Sequence, residues 1–306
     1  MADQLTTLRQ LAAARPWRRS ALDPASAADL TAKLAGAVEA QQPIRFSVPF
    51  GGYKGWHQAT APWPNWAEVF WLAHLRRYGE RLSAVHRPGV EISLSYCSGV
   101  LAAINNLPEA HQAIYIASLG QLCQNASTAG VRFSLVDIAA FLGGPEAALT
   151  AVQQRIRELH PRWNEGMADG AERLDSARRN LVPKGVEDLS GLSPKAWEAR
   201  AAKAALGCWA MESLEERKTF NRGEGRIQIS HRRGRGPQLH LSSCHTSTLQ
   251  PWVGSGYLEA DGQGGLAAAH PGERPGAAMA HAAAARARID ARSAPDRHSV
   301  SATPAT

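Results

Sequence analysis

Apolar and polar positions along the chain alternate between short, strand-like runs and longer stretches with helical spacing. The first run, PIRFSV at 43–48, lies between a proline and Phe50-Gly51-Gly52 and predicts a strand. Pro64-Asn65-Trp66-Ala67-Glu68 then has the form of a helix start. Asn65 can accept from the free amides of the first turn, and Glu68 three positions later completes a capping box. Val69, Leu72, Ala73, Leu82 and Val85 carry that helix to about His86, Arg87-Pro88-Gly89 turns the chain, and VEISLS at 90–95 predicts a second strand. A helix opens near Pro108 and runs through Ala113, Ile114, Ala117 and Leu122 to about Asn125. A third strand follows at 131–136, and Gly143-Gly144-Pro145 starts a helix towards His160. The order β-α-β-α-β-α is that of a parallel sheet covered by helices.

Ser193-Pro194 predicts a further helix start, with helix formers from Trp197 to Glu216. Three late runs, 226–231, 238–242 and 252–259, alternate apolar with polar residues, and Gly234, Gly236 and Gly254 supply turns. They are expected to extend the sheet antiparallel, as parallel sheets commonly accept at an edge. The fold class is therefore α/β: a Rossmann-like, mostly parallel sheet with covering helices and late antiparallel strands. A single domain is expected over residues 1–262. The segment 263–306 is rich in Ala, Pro, Arg and Ser with few large apolar side chains. It cannot bury enough surface to offset its ordering entropy and is expected to be mostly disordered, with one short helix around 277–291.

Bulk composition narrows this picture only a little. Of 306 residues, 44% are hydrophobic and 20% charged, which suits a globular protein with a sizeable core. The longest apolar runs fall short of the ~20 residues that span a bilayer. The first twenty residues have neither the apolar stretch nor the cleavage site of a secretory signal, so a cytoplasmic location is expected. Cys97, Cys123, Cys208 and Cys244 are scattered without metal-like spacing and read as reduced packing thiols. The net charge of +7 is uneven. Arg217, Lys218, Arg222, Arg226, Arg232, Arg233 and Arg235 face a single acid, Glu224. Such a cluster attracts an anion or forms a solvated surface, and it leaves open a second reading as a nucleic-acid-binding protein. The absence of interleaved aromatic residues counts against that reading.

In open α/β sheets, ligands bind beyond the carboxyl ends of the strands. That brings together the loop at 49–56, the loop at 95–99 and the chain from Asp137 onward. In the first, Gly51, Gly52 and Gly55 let backbone amides approach an anion, and Lys54 adds a mobile positive charge. The loop lacks the P-loop pattern, so a phosphate or carboxylate suits it better than a nucleotide. Trp56 and Trp63 lie in the following loop as pocket candidates, whereas Trp66 and Phe70 are spaced to pack. His231 with Arg226 and Arg232 can supply acid/base chemistry and anion binding. His240, Cys244 and His245 have poor metal spacing, and no metal is expected.

In chain order these segments resemble the isocyanide synthase family, also called the pyoverdine/dityrosine biosynthesis family. PIRFSVPFGGYKG (43–55) is similar to its strand ending in a Leu-Pro-Ala-Phe-Pro-x-Lys type loop. Pro64 to Glu68 is similar to its Pro-Asp-x-Gly-Glu helix start, and HRPGVEISLS (86–95) to its Pro-Gly turn and strand. RIQISH (226–231) and LQPWVGSGYLEADG (249–262) look like its late Ile-Arg-Leu-Ser-x-His strand and Thr-Pro-Trp-His segment. The resemblance implies an enzyme that joins an amino acid, commonly tyrosine or tryptophan, to a carbon from ribulose 5-phosphate without a cofactor or metal. It implies catalytic roles for Lys54, Glu68 and His231, with substrate contacts from Gly51, Gly52, Trp56, Trp63, Arg226, Arg232 and Trp252. Partner enzymes such as an iron/2-oxoglutarate oxygenase are implied as well. The chain departs from the pattern in four places. Ser95 to Gly99 holds no acid where the family has Ser-Asp-Gly, Val253 stands for a histidine, Asn65 stands for an aspartate, and His231 follows Ser230 directly. A divergent branch with a different or lost reaction fits those losses about as well as isocyanide synthesis, and a non-catalytic relative acting as a partner protein would also be expected to show them.

Overall fold

The computed structural model describes residues 2–58, 60–167, 169–223, 225–230 and 236–241, and the backbone of 257–260 and 266–269. Its centre is a five-stranded sheet in the order β3-β2-β1-β4-β5. The strands are β1 (Ile44–Pro49), β2 (Val90–Tyr96), β3 (Val131–Asp137), β4 (Ile227–Ser230) and β5 (Leu239–His240). Every neighbouring pair is parallel. This corrects the expectation for β4 and β5, which enter the sheet in the same sense as β1. The antiparallel pairing falls further along: β6 (Tyr257–Ala260) pairs with β7 (Leu266–Ala269) as a separate two-stranded sheet. β7 lies within the segment 263–306 expected to be mostly disordered, and the short helix expected around 277–291 falls outside the described residues.

Register explains why the first three strands assemble. Ile44, Phe46 and Val48 of β1 align with Val90, Ile92 and Leu94 of β2, and Val90 aligns with Val131 of β3. All seven side chains are buried on one face. The intervening positions are polar. Glu91 is ion-paired with Arg45 (3.4 Å) and with Arg132, and Ser134 Oγ donates to Ser93 Oγ at 3.1 Å. Parallel sheets are usually covered by apolar contacts on both faces; here one face has a polar strip along β1–β3.

The apolar face is covered by α1 (Ala2–Ala12), α2 (Pro24–Glu39), α3 (Trp66–Ser83) and α5 (Glu109–Ala126), which share one core cluster with it. α2 carries a legible start: Asp23 accepts from Ser26 N–H at 2.8 Å and Pro24 takes the first helical position. The buried stripe of α5 is Gln112, Tyr115, Leu119, Leu122, Cys123 and Ala126. Ala113, Ile114 and Ala117, the expected apolar stripe, face outward except for Leu122, because Gln112 and Tyr115 take the core positions.

A second cluster forms around the carboxyl ends of the strands. It joins Tyr53, Cys97 and Ile138, one from beyond each of β1, β2 and β3, to α4 (Val100–Ile104), α6 (Pro145–Asn164), α7 (Gly170–Asn180), α8 (Pro194–Glu212) and α9 (Glu215–Arg222). The expected single helix to residue 216 is broken at Ser213 and Leu214, and α9 turns back onto the sheet. Asn221 holds it there: its backbone carbonyl accepts from Ser47 Oγ at 2.6 Å and its Oδ1 from Ser95 Oγ at 2.7 Å. Among the described residues, no helix is long and apolar enough to cross a membrane.

Candidate active site at the carboxyl edge of the sheet

All five strands run in the same sense, so the loops after β1, β2 and β3 meet at one edge, as the sequence order implies. The loop after β1 is held by a buried charged network. Lys54 and Glu68 are fully buried, and Lys54 Nζ donates to Glu68 Oε1 and Oε2 at 2.8 and 2.9 Å. Glu68 also accepts from Asn65 N–H (2.8 Å) and Tyr115 Oη–H (3.1 Å). Asn65 Oδ1 accepts from Ala67 N–H at 2.9 Å, so the capping box expected from sequence forms, and its glutamate doubles as the counter-ion of Lys54. Burial pulls the Lys54 ammonium below its ordinary range against the attraction of Glu68. It pushes the Tyr115 phenol well above its own, with the Glu68 charge adding to the effect. The expectation of a mobile cation at the loop surface is thus corrected. A lysine in this position reaches inward because a carboxylate capping the next helix is there to receive it.

Gly52 has a φ of +72°, and a Cβ there would lie 2.9 Å from Tyr96 Cβ and 3.3 Å from Gln112 Nε2. Only glycine suits both the backbone and the space. Gly51 is half-buried beside it. His111 Nε2 meets the Lys54 carbonyl at 2.9 Å, and burial outweighs that contact to lower its pKa.

An acid does stand beside the 95–99 loop, supplied by a neighbouring strand. Asp137 pairs in register with Tyr96. Its Oδ1 accepts from Ser98 N–H (2.9 Å) and Ala139 N–H (3.0 Å), and its Oδ2 accepts from Ser98 Oγ. Burial and the Asp137 charge push the Tyr96 phenol up to about 12. Cys97 is buried, which raises its thiol to about 11; Arg217 counters this and Asp137 adds to it. Gln112 and Arg217 are residues that sequence reasoning left out of this edge, whereas Asp137 was placed there without a role of its own. For Asp137 the signal was its place at the end of β3.

Trp56 and Trp63 are 39% and 37% exposed on the loop between Lys54 and α3. Arg226 precedes β4, with its guanidinium 4.3 Å from the centre of the Phe220 ring, in the second cluster. Lys54 is thus paired with Glu68, whereas Arg226 lies over Phe220. His231, Arg232 and Trp252 lie outside the described residues, as do Cys244, His245 and Val253. Among the described residues, no three His, Cys, Asp or Glu side chains gather as a metal site would require.

No protein-family model matches the sequence, and no curated protein does. Among solved structures the chain is similar to the PvcA protein from Pseudomonas aeruginosa, with a TM-score of 0.63 and 16% identity over 88% of this chain and 93% of that one. Likeness at that identity is a likeness of fold, and it extends across nearly the whole of both chains.

Proposed function

We propose that this protein is a biosynthetic enzyme related to the isocyanide synthases, acting on the amino group of an amino acid with a phosphorylated sugar as the carbon source. The observation that carries the reading is the meeting of three strand-end loops, with Gly52, the Ser98–Asp137 pair and the exposed Trp56 and Trp63, at one edge of a parallel sheet. That edge is where α/β enzymes place their ligands. The ordered motif resemblance and the fold shared with PvcA support the same reading. In it, Trp56 and Trp63 contact an aromatic amino-acid side chain. The Lys54–Glu68 pair holds the loop that borders the substrate.

As the resemblance implies, the amino group condenses with the sugar ketone and later eliminations release the isonitrile. The test is incubation of the purified protein with ribulose 5-phosphate and either L-tyrosine or L-tryptophan, with mass spectrometry and infrared detection of an isonitrile. An amino-acid-dependent isonitrile is the expected result. Neither turnover nor binding heat with any aromatic amino acid or sugar phosphate would remove the proposal.

A further inference from the structure

Sheets made only of parallel strands nearly always have both faces covered. Here the second face is covered at its carboxyl half, where Asn221 of α9 accepts from Ser47 Oγ and Ser95 Oγ. Towards the amino end it presents polar side chains in register. Arg45, Glu91 and Arg132 form one row across β1, β2 and β3, and Ser93 with Ser134 belongs to the next. The side chain of Arg132 is 64% exposed and that of Arg45 39%, and the Ser134–Ser93 hydrogen bond is exposed with them. An apolar helix laid over these rows would strip water from charges and hydroxyls without replacing their hydrogen bonds, so the missing cover is polar.

The charges say which polar groups suit it. Each oxygen of Glu91 already faces one arginine. Its Oε2 lies 3.4 Å from Arg45 Nε, and its Oε1 accepts from Arg132 Nη2. A guanidinium carries five N–H donors. Arg45 Nε makes no hydrogen bond among the described residues, and Arg132 uses Nη2 for Glu91, so both keep donors in reserve. Arg87, exposed in the turn that leads into β2, adds a third positive charge at the same end of the sheet. Three arginines thus stand against one glutamate, and a planar guanidinium fork matches a carboxylate.

We propose that the amino half of this face is a docking surface for an acidic segment of a partner protein, which sets carboxylates against Arg45, Arg132 and Arg87 and polar groups against Ser93 and Ser134. A second copy of the chain would place these arginines against their own equivalents. Residues 270–306 hold five arginines against three acids and do not supply the complement. A nucleic-acid backbone would meet Glu91 within the row, and neither row holds an aromatic side chain on which a base could stack. The surface lies at the opposite end of the strands from the candidate active site, so it does not depend on the reaction proposed there.

The probe is a fluorescein-labelled peptide of alternating glutamate and serine, titrated by anisotropy at roughly 50 mM salt, where surface charges are less screened than at physiological strength. Arg45→Gln with Arg132→Gln removes both forks. Arg157→Gln with Arg179→Gln, at exposed positions on α6 and α7, changes the net charge equally and serves as the control. The peptide is expected to bind wild type, about tenfold more weakly the first pair, and within about twofold of wild type the control pair. Should the first pair unfold, Arg132→Gln alone is expected to weaken binding about threefold. Equal weakening in both pairs reduces the effect to net charge and overturns the proposal, as does a wild type that does not bind the peptide. Single-stranded RNA that binds more tightly than the peptide, and is lost in the first pair, assigns the face to nucleic acid and overturns it too. A wild-type dimer in sedimentation that becomes a monomer in the first pair assigns it to a second copy, with the same consequence.

Discussion

Lys54 and Glu68 show how much a single residue's surroundings decide. A lysine beside three glycines resembles an anion clamp, but this ammonium is enclosed and spans 2.8 Å to a carboxylate that also caps a helix. Removing one member of a buried pair leaves the other uncompensated, which typically costs 3–5 kcal/mol, whereas removing both charges costs far less. Lys54→Met is therefore expected to lose about 3–5 kcal/mol in urea unfolding. Adding Glu68→Gln, whose single Oε1 still accepts from Asn65 N–H while its Nε2 can donate to Tyr115 Oη, should recover most of the loss. A Lys54→Met protein as stable as the wild type would show that the pair contributes no net stability.

At the scale of elements, helix starts were the most legible features. The Asn65–Glu68 capping box and the Ser193-Pro194 start are local chemistry, written within four residues, and both form. Asn65→Ala removes the acceptor for Ala67 N–H and is expected to lower stability by about 1 kcal/mol, read as a small fall in melting temperature with α3 otherwise intact. The buried stripe of α5 was less legible, because its inward positions include Gln112 and the phenol of Tyr115. A reading that looks for apolar side chains passes over a buried amide. The sense of β4 and β5 was not legible either: alternation sets which side chains share a face, and says nothing of strand direction. That depends on where α9 delivers the chain, and Asn221 determines this by bonding to Ser47 and Ser95.

For the molecule as a whole, the basic run from 217 to 235 was the main argument for nucleic acid. Three of its described members have partners within the chain. Lys218 pairs with Glu215, Arg222 Nε donates to Gln228 Oε1 at 2.7 Å, and Arg226 stacks over Phe220. A backbone-tracking groove needs several cations aligned on an open surface. Weak RNA retention is therefore expected even at roughly 50 mM salt, with no steep decline towards roughly 200 mM, measured by filter binding across a salt series. Tight binding that falls by orders of magnitude across that range would restore the nucleic-acid reading.

The sequence by itself determined the β-α-β-α-β-α order, the helix caps and the three loops at the carboxyl edge of the sheet, because periodicity and capping act between near neighbours. Tertiary structure alone decided that Lys54 turns inward to Glu68, that Asp137 serves the loop of another strand, and that Gln112 keeps a buried donor beside Gly52. Each of these depends on groups distant in the chain meeting at one edge of a parallel sheet. Their desolvation and pairing exist only once the sheet has formed.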